Sequence, residues 1–116
     1  MLQTNLKHIE SETDFRRVIN GNENVMICCG RMGPMCVPVY AIMKELEPDY
    51  THVGFYDLEF DAPHAHVIRN LSECKGFMGL PFSVYFKKDQ IVAATASMQS
   101  MDQVCQILDR GFQPNN

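Results

Sequence analysis

Asn24 to Cys29 is a compact run, apolar after its first residue. It ends in Gly30-Arg31-Met32-Gly33-Pro34-Met35-Cys36-Val37-Pro38, which leads into a helical pattern. A run that short and that apolar reads as a strand covered on both faces, as in a parallel sheet with helices on either side. The junction after it is crowded with glycine, proline, methionine and three cysteines, Cys28, Cys29 and Cys36. Any fold built on this chain has to bring those thiols to a strand-to-helix turn.

The flanking pattern extends the same architecture. Leu6 to Ile9 reads as a short first strand, and Ser11-Glu12-Thr13-Asp14 has the spacing of a capping box, with Ser11 or Thr13 as cap. Phe15, Val18 and Ile19 form the apolar stripe of the helix that follows, and Gly21 is its expected C-terminal stop. Val39, Ile42, Met43 and Leu46 mark a second helix, ended by Pro48. Val53 to Leu58 reads as a strand with Val53, Phe55 and Asp57 on one face. Asp61-Ala62-Pro63 opens a third helix expected to run to about Cys74, with Val67, Ile68 and Leu71 inward. After the loop Gly76–Pro81, strands Phe82–Phe86 and Ile91–Ala96 make a hairpin, and Ser100 with Gln103 caps a last helix carrying Val104, Ile107, Leu108 and Phe112. Strands alternating with helices imply a parallel core with right-handed crossovers, to which the hairpin adds antiparallel strands. The expected class is α/β: a three-layer sandwich, its mixed central sheet covered by helices on both faces. With 116 residues and no repeat or Gly/Ser linker, positions 1–116 read as one domain.

Composition narrows the function. A net charge of −4 argues against a nucleic-acid partner, and no run reaches the roughly 18 apolar residues of a membrane helix. No basic segment leads into an apolar stretch at the N-terminus, so a cytoplasmic location is expected, where thiols stay reduced. Five cysteines, an odd number, fit catalytic, ligand or buried roles better than a disulfide framework. His64 and His66 fall two apart at a helix start and would not share a face as a metal pair. His8 and His52 read as surface residues, and Asp57, Glu59 and Asp61 as a solvated acidic loop.

Gly33-Pro34 in the turn, Lys44-Glu45-Leu46-Glu47-Pro48-Asp49-Tyr50 at the end of the second helix, and Gly79-Leu80-Pro81-Phe82 followed by Val84-Tyr85-Phe86-Lys87 together resemble the thioredoxin family over nearly the whole chain. The resemblance implies a thioredoxin-like fold and thiol–disulfide exchange. It also implies that Pro81 is the family's cis-proline, with Leu80 pairing through its backbone with an extended substrate. No cofactor or metal is implied. The implied partners are a protein disulfide or dithiol and a reductant of the thioredoxin-reductase kind. The chain departs from the family where chemistry is decided. Met32 and Met35 stand at the two motif cysteines when aligned from the strand, whereas alignment from the second helix puts Cys36 on the resolving cysteine. Cys28 and Arg31 replace the active-site tryptophans, and Met26 stands where the family often has a buried aspartate that accepts protons.

From the residues themselves, Cys36 lies at a helix N-terminus, where unpaired N–H groups favour a thiolate. Cys29, across a turn with two glycines, is its expected partner, provided the loop brings the Cα atoms to roughly 4.4–6.8 Å. Cys28 and Cys29 point to opposite sides of a strand, so only one can face the turn. Cys28 and Cys74 are further redox candidates, Cys74 if it is solvent-exposed before the Pro81 loop; Cys105 reads as core. On the thioredoxin resemblance, Gly33, Pro34, Leu80 and Pro81 form the expected docking surface. Two alternatives remain open: a redox-inactive module that binds peptides on an apolar Met-rich platform, and a Cu(I) carrier using the thioethers and thiols as soft ligands.

Overall fold

The structure, a computed structural model, describes residues 2–113. It contains β1 (Lys7–His8), α1 (Glu12–Gly21), β2 (Asn24–Gly30), α2 (Val37–Leu46) and β3 (Gly54–Glu59). A 3-10 turn (Pro63–Ala65) and the short α3 (His66–Arg69) follow, then β4 (Phe82–Lys87), β5 (Gln90–Ala96) and α4 (Met101–Gly111). The five strands form one mixed sheet in the order β1-β3-β2-β4-β5, as the α/β reading expected. β1, β3 and β2 run parallel, while β4 and β5 are antiparallel neighbours on the other side.

β2 is the spine. All seven of its residues are buried, because helices cover both faces and strands flank both edges. Strand alternation splits its side chains. Met26 and Cys28 join a cluster with Cys36, Val39, Tyr40 and Met43 of the α2 side and Val104 and Leu108 of α4. Val25, Ile27 and Cys29 join the opposite cluster, with Phe15 and Val18 of α1, Ile68 of α3, and Cys74, Phe82 and Phe86.

Local chemistry explains the ends of most elements. Ser11 Oγ accepts the Asp14 N–H at 2.9 Å, and Ser100 and Gln103 exchange both bonds of a capping box at 3.1 and 2.8 Å. Such caps are each worth about 1 kcal/mol. The β4–β5 loop is only Lys88-Asp89, with φ of 49° and 63°, the left-handed pair of a type I′ turn that matches strand twist. Gly21, the expected stop, is instead the last residue of α1, and no described glycine has positive φ. Asn22 ends the helix in an extended conformation while its side-chain amide donates to the Val18 carbonyl at 2.9 Å. The third helix is also shorter than expected. It stops at Arg69, with Asn70 at φ −90° and ψ 0°, and turns bonded three residues apart carry the chain through Cys74 to Phe77.

The N-terminal segment is built in. Leu2 and Leu6 lie in the α2-side core, and Thr4 Oγ1 donates to the Asp57 carboxylate. Asp57 is therefore not in a solvated loop: it is buried on β3, with His8 Nδ1 2.7 Å from its other oxygen. Nor are the two histidines free surface groups, since His52 Nε2 sits 3.1 Å from the Phe112 carbonyl oxygen. Among the described residues no helix is long and apolar enough to cross a membrane.

Candidate functional site

β2 delivers the chain to Gly30, and the turn 31–36 returns it over the end of the sheet. The Gly33 carbonyl accepts the N–H groups of Cys36 and Val37 at 3.1 and 2.9 Å, closing the turn around Pro34. α2 then begins with Cys36 as its N-cap residue and Pro38 in its first turn, where a missing N–H costs nothing.

Cys36 is buried, and its Sγ accepts the backbone N–H of Arg31 at 3.4 Å. A Cβ on Gly30 would lie 2.8 Å from Cys36 Sγ, 2.7 Å from the Tyr40 hydroxyl and 3.0 Å from Pro81 Cβ. Only glycine fits there, and three functional groups converge on the gap it leaves. The Tyr40 hydroxyl donates to the Arg31 carbonyl at 3.0 Å and pins the turn. The Leu80–Pro81 peptide bond is cis. Arg31 points outward, forked onto Asp61 at 2.7 and 2.8 Å and stacked over Phe60. That guanidinium holds the Asp61 carboxyl below its usual range.

The remaining thiols fall elsewhere. Cys28 lies on the Cys36 side, fully buried, with the Ser83 hydroxyl 3.9 Å from its sulfur. Burial pushes its pKa well above the usual thiol value, and a negative charge on Cys36 would raise it further. Cys29, expected to pair with Cys36, is on the opposite face of β2. The fully apolar run offered no inward–outward pattern to assign the two faces, and α2 packs on the even-numbered side. Burial pushes the Cys29 thiol up to about 12. Cys74 is buried among the same aromatic and aliphatic groups rather than exposed, and burial takes it to about 11. Cys105, expected in the core, is half-buried on α4. All five thiols are free. Gly33 and Pro34 shape the turn over Cys36, and Leu80 and Pro81 border it.

Sequence reasoning missed three features. Asp57 is one; its signal was a carboxylate at an inward position of a strand. Burial raises its pKa, opposed by the bonds from Thr4 and His8. The second is a cavity of about 230 Å³ lined by His8, Asp57, His64 and Glu59 at the β1–β3 edge, on the far side of β2 from the sheet edge formed by β5. The third is the Tyr85 hydroxyl, buried with no hydrogen-bond partner. Among the described residues, no group of three His, Cys, Asp or Glu side chains could hold a metal ion. His64 and His66 are engaged separately, with the Ile9 carbonyl and with Glu12.

No protein-family model and no curated protein matches the sequence. Solved structures do. Thioredoxin f2 of Chlamydomonas reinhardtii superposes with a TM-score of 0.76 at 13% identity, over 95% of this chain and 99% of that one. Thioredoxin of Plasmodium falciparum gives 0.72 at 18% identity, over 91% and 99%. Mitochondrial thioredoxin 3 of Saccharomyces cerevisiae, in its oxidised form, gives 0.71 at 22%, over 90% and 94%. Each likeness spans nearly the whole of both chains, and the fold of this protein is thioredoxin-like.

Proposed function

We propose that this protein carries out thiol–disulfide exchange at Cys36, with its partner docked against the Gly33-Pro34 turn and Leu80-Pro81. One observation carries the reading: Cys36 Sγ, the Tyr40 hydroxyl and the cis-proline converge beside Gly30 at the end of β2, and the Arg31 N–H bonds that sulfur. A groove of about 480 Å³ between the N-terminal segment and α2, lined by Thr4, Met32, Val37 and Tyr40, gives a partner segment room to approach the same turn.

In this reading the Cys36 thiolate attacks one sulfur of the partner's disulfide. The partner's S–S bond breaks, its second sulfur leaves as a thiolate and takes a proton from water, and a mixed disulfide remains. Cys28 replaces Cys29 as the second thiol, because it shares the Cys36 side of the sheet. The Cys28 thiol attacks Cys36 Sγ as its proton passes to the departing partner sulfur, which closes an internal disulfide and releases the partner fully reduced. A reductant of the thioredoxin-reductase class, or a low-molecular-weight dithiol, returns two electrons and restores both thiols. A reducing compartment such as the cytoplasm suits a protein whose thiols are all free.

The test is mass spectrometry of the native protein after treatment with oxidised glutathione and after reduction, with alkylation mapping of every cysteine. A reversible Cys28–Cys36 crosslink, lost in Cys36→Ser together with insulin-disulfide reduction, is expected. A Cys36 that neither pairs nor forms a mixed disulfide overturns the reading. A redox-silent docking module is the second reading, favoured by the exposed Met32, Met35 and Val37 beside the turn. In that case Cys36→Ser captures the same partner peptide undiminished.

A further inference from the structure

The sheet brings four methionines to one end of the molecule. β2 finishes, β4 begins and β5 finishes side by side, since Cys29 pairs with Phe82 and Phe82 with Ala96. Met32 and Met35 sit in the turn that leaves β2, Met78 in the loop that enters β4, and Met98 just past β5. The Ser97 N–H bonds the Gly79 carbonyl at 3.2 Å, and Pro81 packs on Gly30, tying the three segments together. These methionines are 47%, 45%, 99% and 49% exposed, whereas Met26 and Met43 in the core are fully covered. The thiols show the reverse arrangement: Cys28, Cys29, Cys36 and Cys74 are all buried.

We propose that Met32, Met35, Met78 and Met98 form a reversible oxidation site, taking oxygen from hydrogen peroxide before either thiol buried on the α1–α3 face, Cys29 or Cys74, does. Each thioether sulfur attacks one peroxide oxygen. The O–O bond breaks, the sulfur is oxidised by two electrons to a sulfoxide, and the second oxygen leaves as water. The reverse step takes two electrons from a dithiol, through a methionine sulfoxide reductase, and yields thioether, water and a disulfide. Cysteine normally wins this competition as the thiolate. Burial removes that advantage from the two thiols of the α1–α3 face, holding Cys29 near 12 and Cys74 near 11. A sulfoxide is polar where a thioether is not, so oxidation turns an apolar face beside the cis-proline loop into a hydrated one. The proposal does not depend on exchange chemistry at Cys36.

The experiment is graded exposure of the native protein to hydrogen peroxide, followed by peptide mass spectrometry and by retention on a phenyl column. One added oxygen on each of the four methionines is expected while Met26, Met43, Cys29 and Cys74 stay unmodified. Retention should fall with it and return after methionine sulfoxide reductases and dithiothreitol. The variant M32L/M35L/M78L/M98L should keep its retention through the same treatment, and Cys36→Ser should oxidise in the wild-type pattern. The proposal is overturned if Cys29 or Cys74 oxidises first, if Met26 and Met43 oxidise in step with the four, or if retention ignores the added oxygens. Loss of methionine oxidation in Cys36→Ser also overturns it, and leaves the exchange reading standing.

Discussion

Cys28 and Cys29 are neighbours in the chain, yet the sheet lies between their side chains. On the α2–α4 side, Cys28 shares its surroundings with Cys36, Tyr40, Ser83 and Asp57, groups that donate, accept or carry charge. On the α1–α3 side, Cys29 packs among phenylalanine and aliphatic side chains and one other buried thiol, and the charges of Arg69 and Asp61 reach it only through space. The same chemical group is thus held near reactive company on one face and treated as a small hydrophobe on the other. The two sulfurs differ in the hydrogen-bonding groups within reach of them: Cys28 has the Ser83 hydroxyl, and Cys29 is packed among apolar groups.

The comparison breaks most visibly if the hydrocarbon face can be damaged without touching Cys36. Phe15 packs edge-on against Phe86 with ring centres 5.8 Å apart, and Phe15→Ala should cost about 3–5 kcal/mol in denaturant unfolding. The alkylation rate of Cys36 in the folded variant should equal that of the wild type; a faster rate would mean the faces are not independent. Gly30→Ala attacks the other face, forcing a methyl against Cys36, Tyr40 and Pro81. Overpacking of that kind costs about 1–3 kcal/mol, and here Cys36 alkylation should change with it.

Titration sharpens the contrast further. Burial raises the Cys29 thiol from 9.0 to about 12, so the folded state holds its proton after the unfolded state has lost it. Its contribution to stability is complete below about pH 9 and is lost as pH rises towards 12. Between those values Cys29 alone removes up to ~1.4 kcal/mol per pH unit. Urea unfolding of Cys29→Ala across the same range should show a shallower decline than the wild type, on top of a constant packing loss. The smallest effect belongs to Tyr85→Phe, which deletes an unpartnered buried hydroxyl and should stabilise by about 1 kcal/mol. A loss instead would reveal a partner for that hydroxyl.

Local signals in the sequence reached far into this fold. The buried strand at β2, the cap at Ser100 and the hairpin all depend on a few adjacent residues and stand where they were expected, Ser11 is the cap of the two candidates offered, and Pro63 opens a 3-10 turn ahead of the third helix. The cis-proline loop was legible through resemblance rather than periodicity. The site was less legible, because it depends on which face each residue of an all-apolar strand presents. That assignment belongs to the packing of α2, which local pattern does not encode. The third helix failed for a related reason: Val67, Ile68 and Leu71 keep helical spacing, but Asn70 leaves helical geometry and the stripe continues through turns. Asp57 reads as part of a solvated loop although it falls in line with Val53 and Phe55, because its partners Thr4 and His8 come from a segment about fifty positions away.

That distant partnership has a practical consequence. The opening segment works as a cork: Leu2 and Leu6 plug the core, and Thr4 holds down a buried carboxylate. Pulling it out with a bulky handle fused immediately before Leu2 would leave two holes and a carboxylate short of one bond at the thin β1 edge, and the sheet would begin to come apart from the side that looks least important.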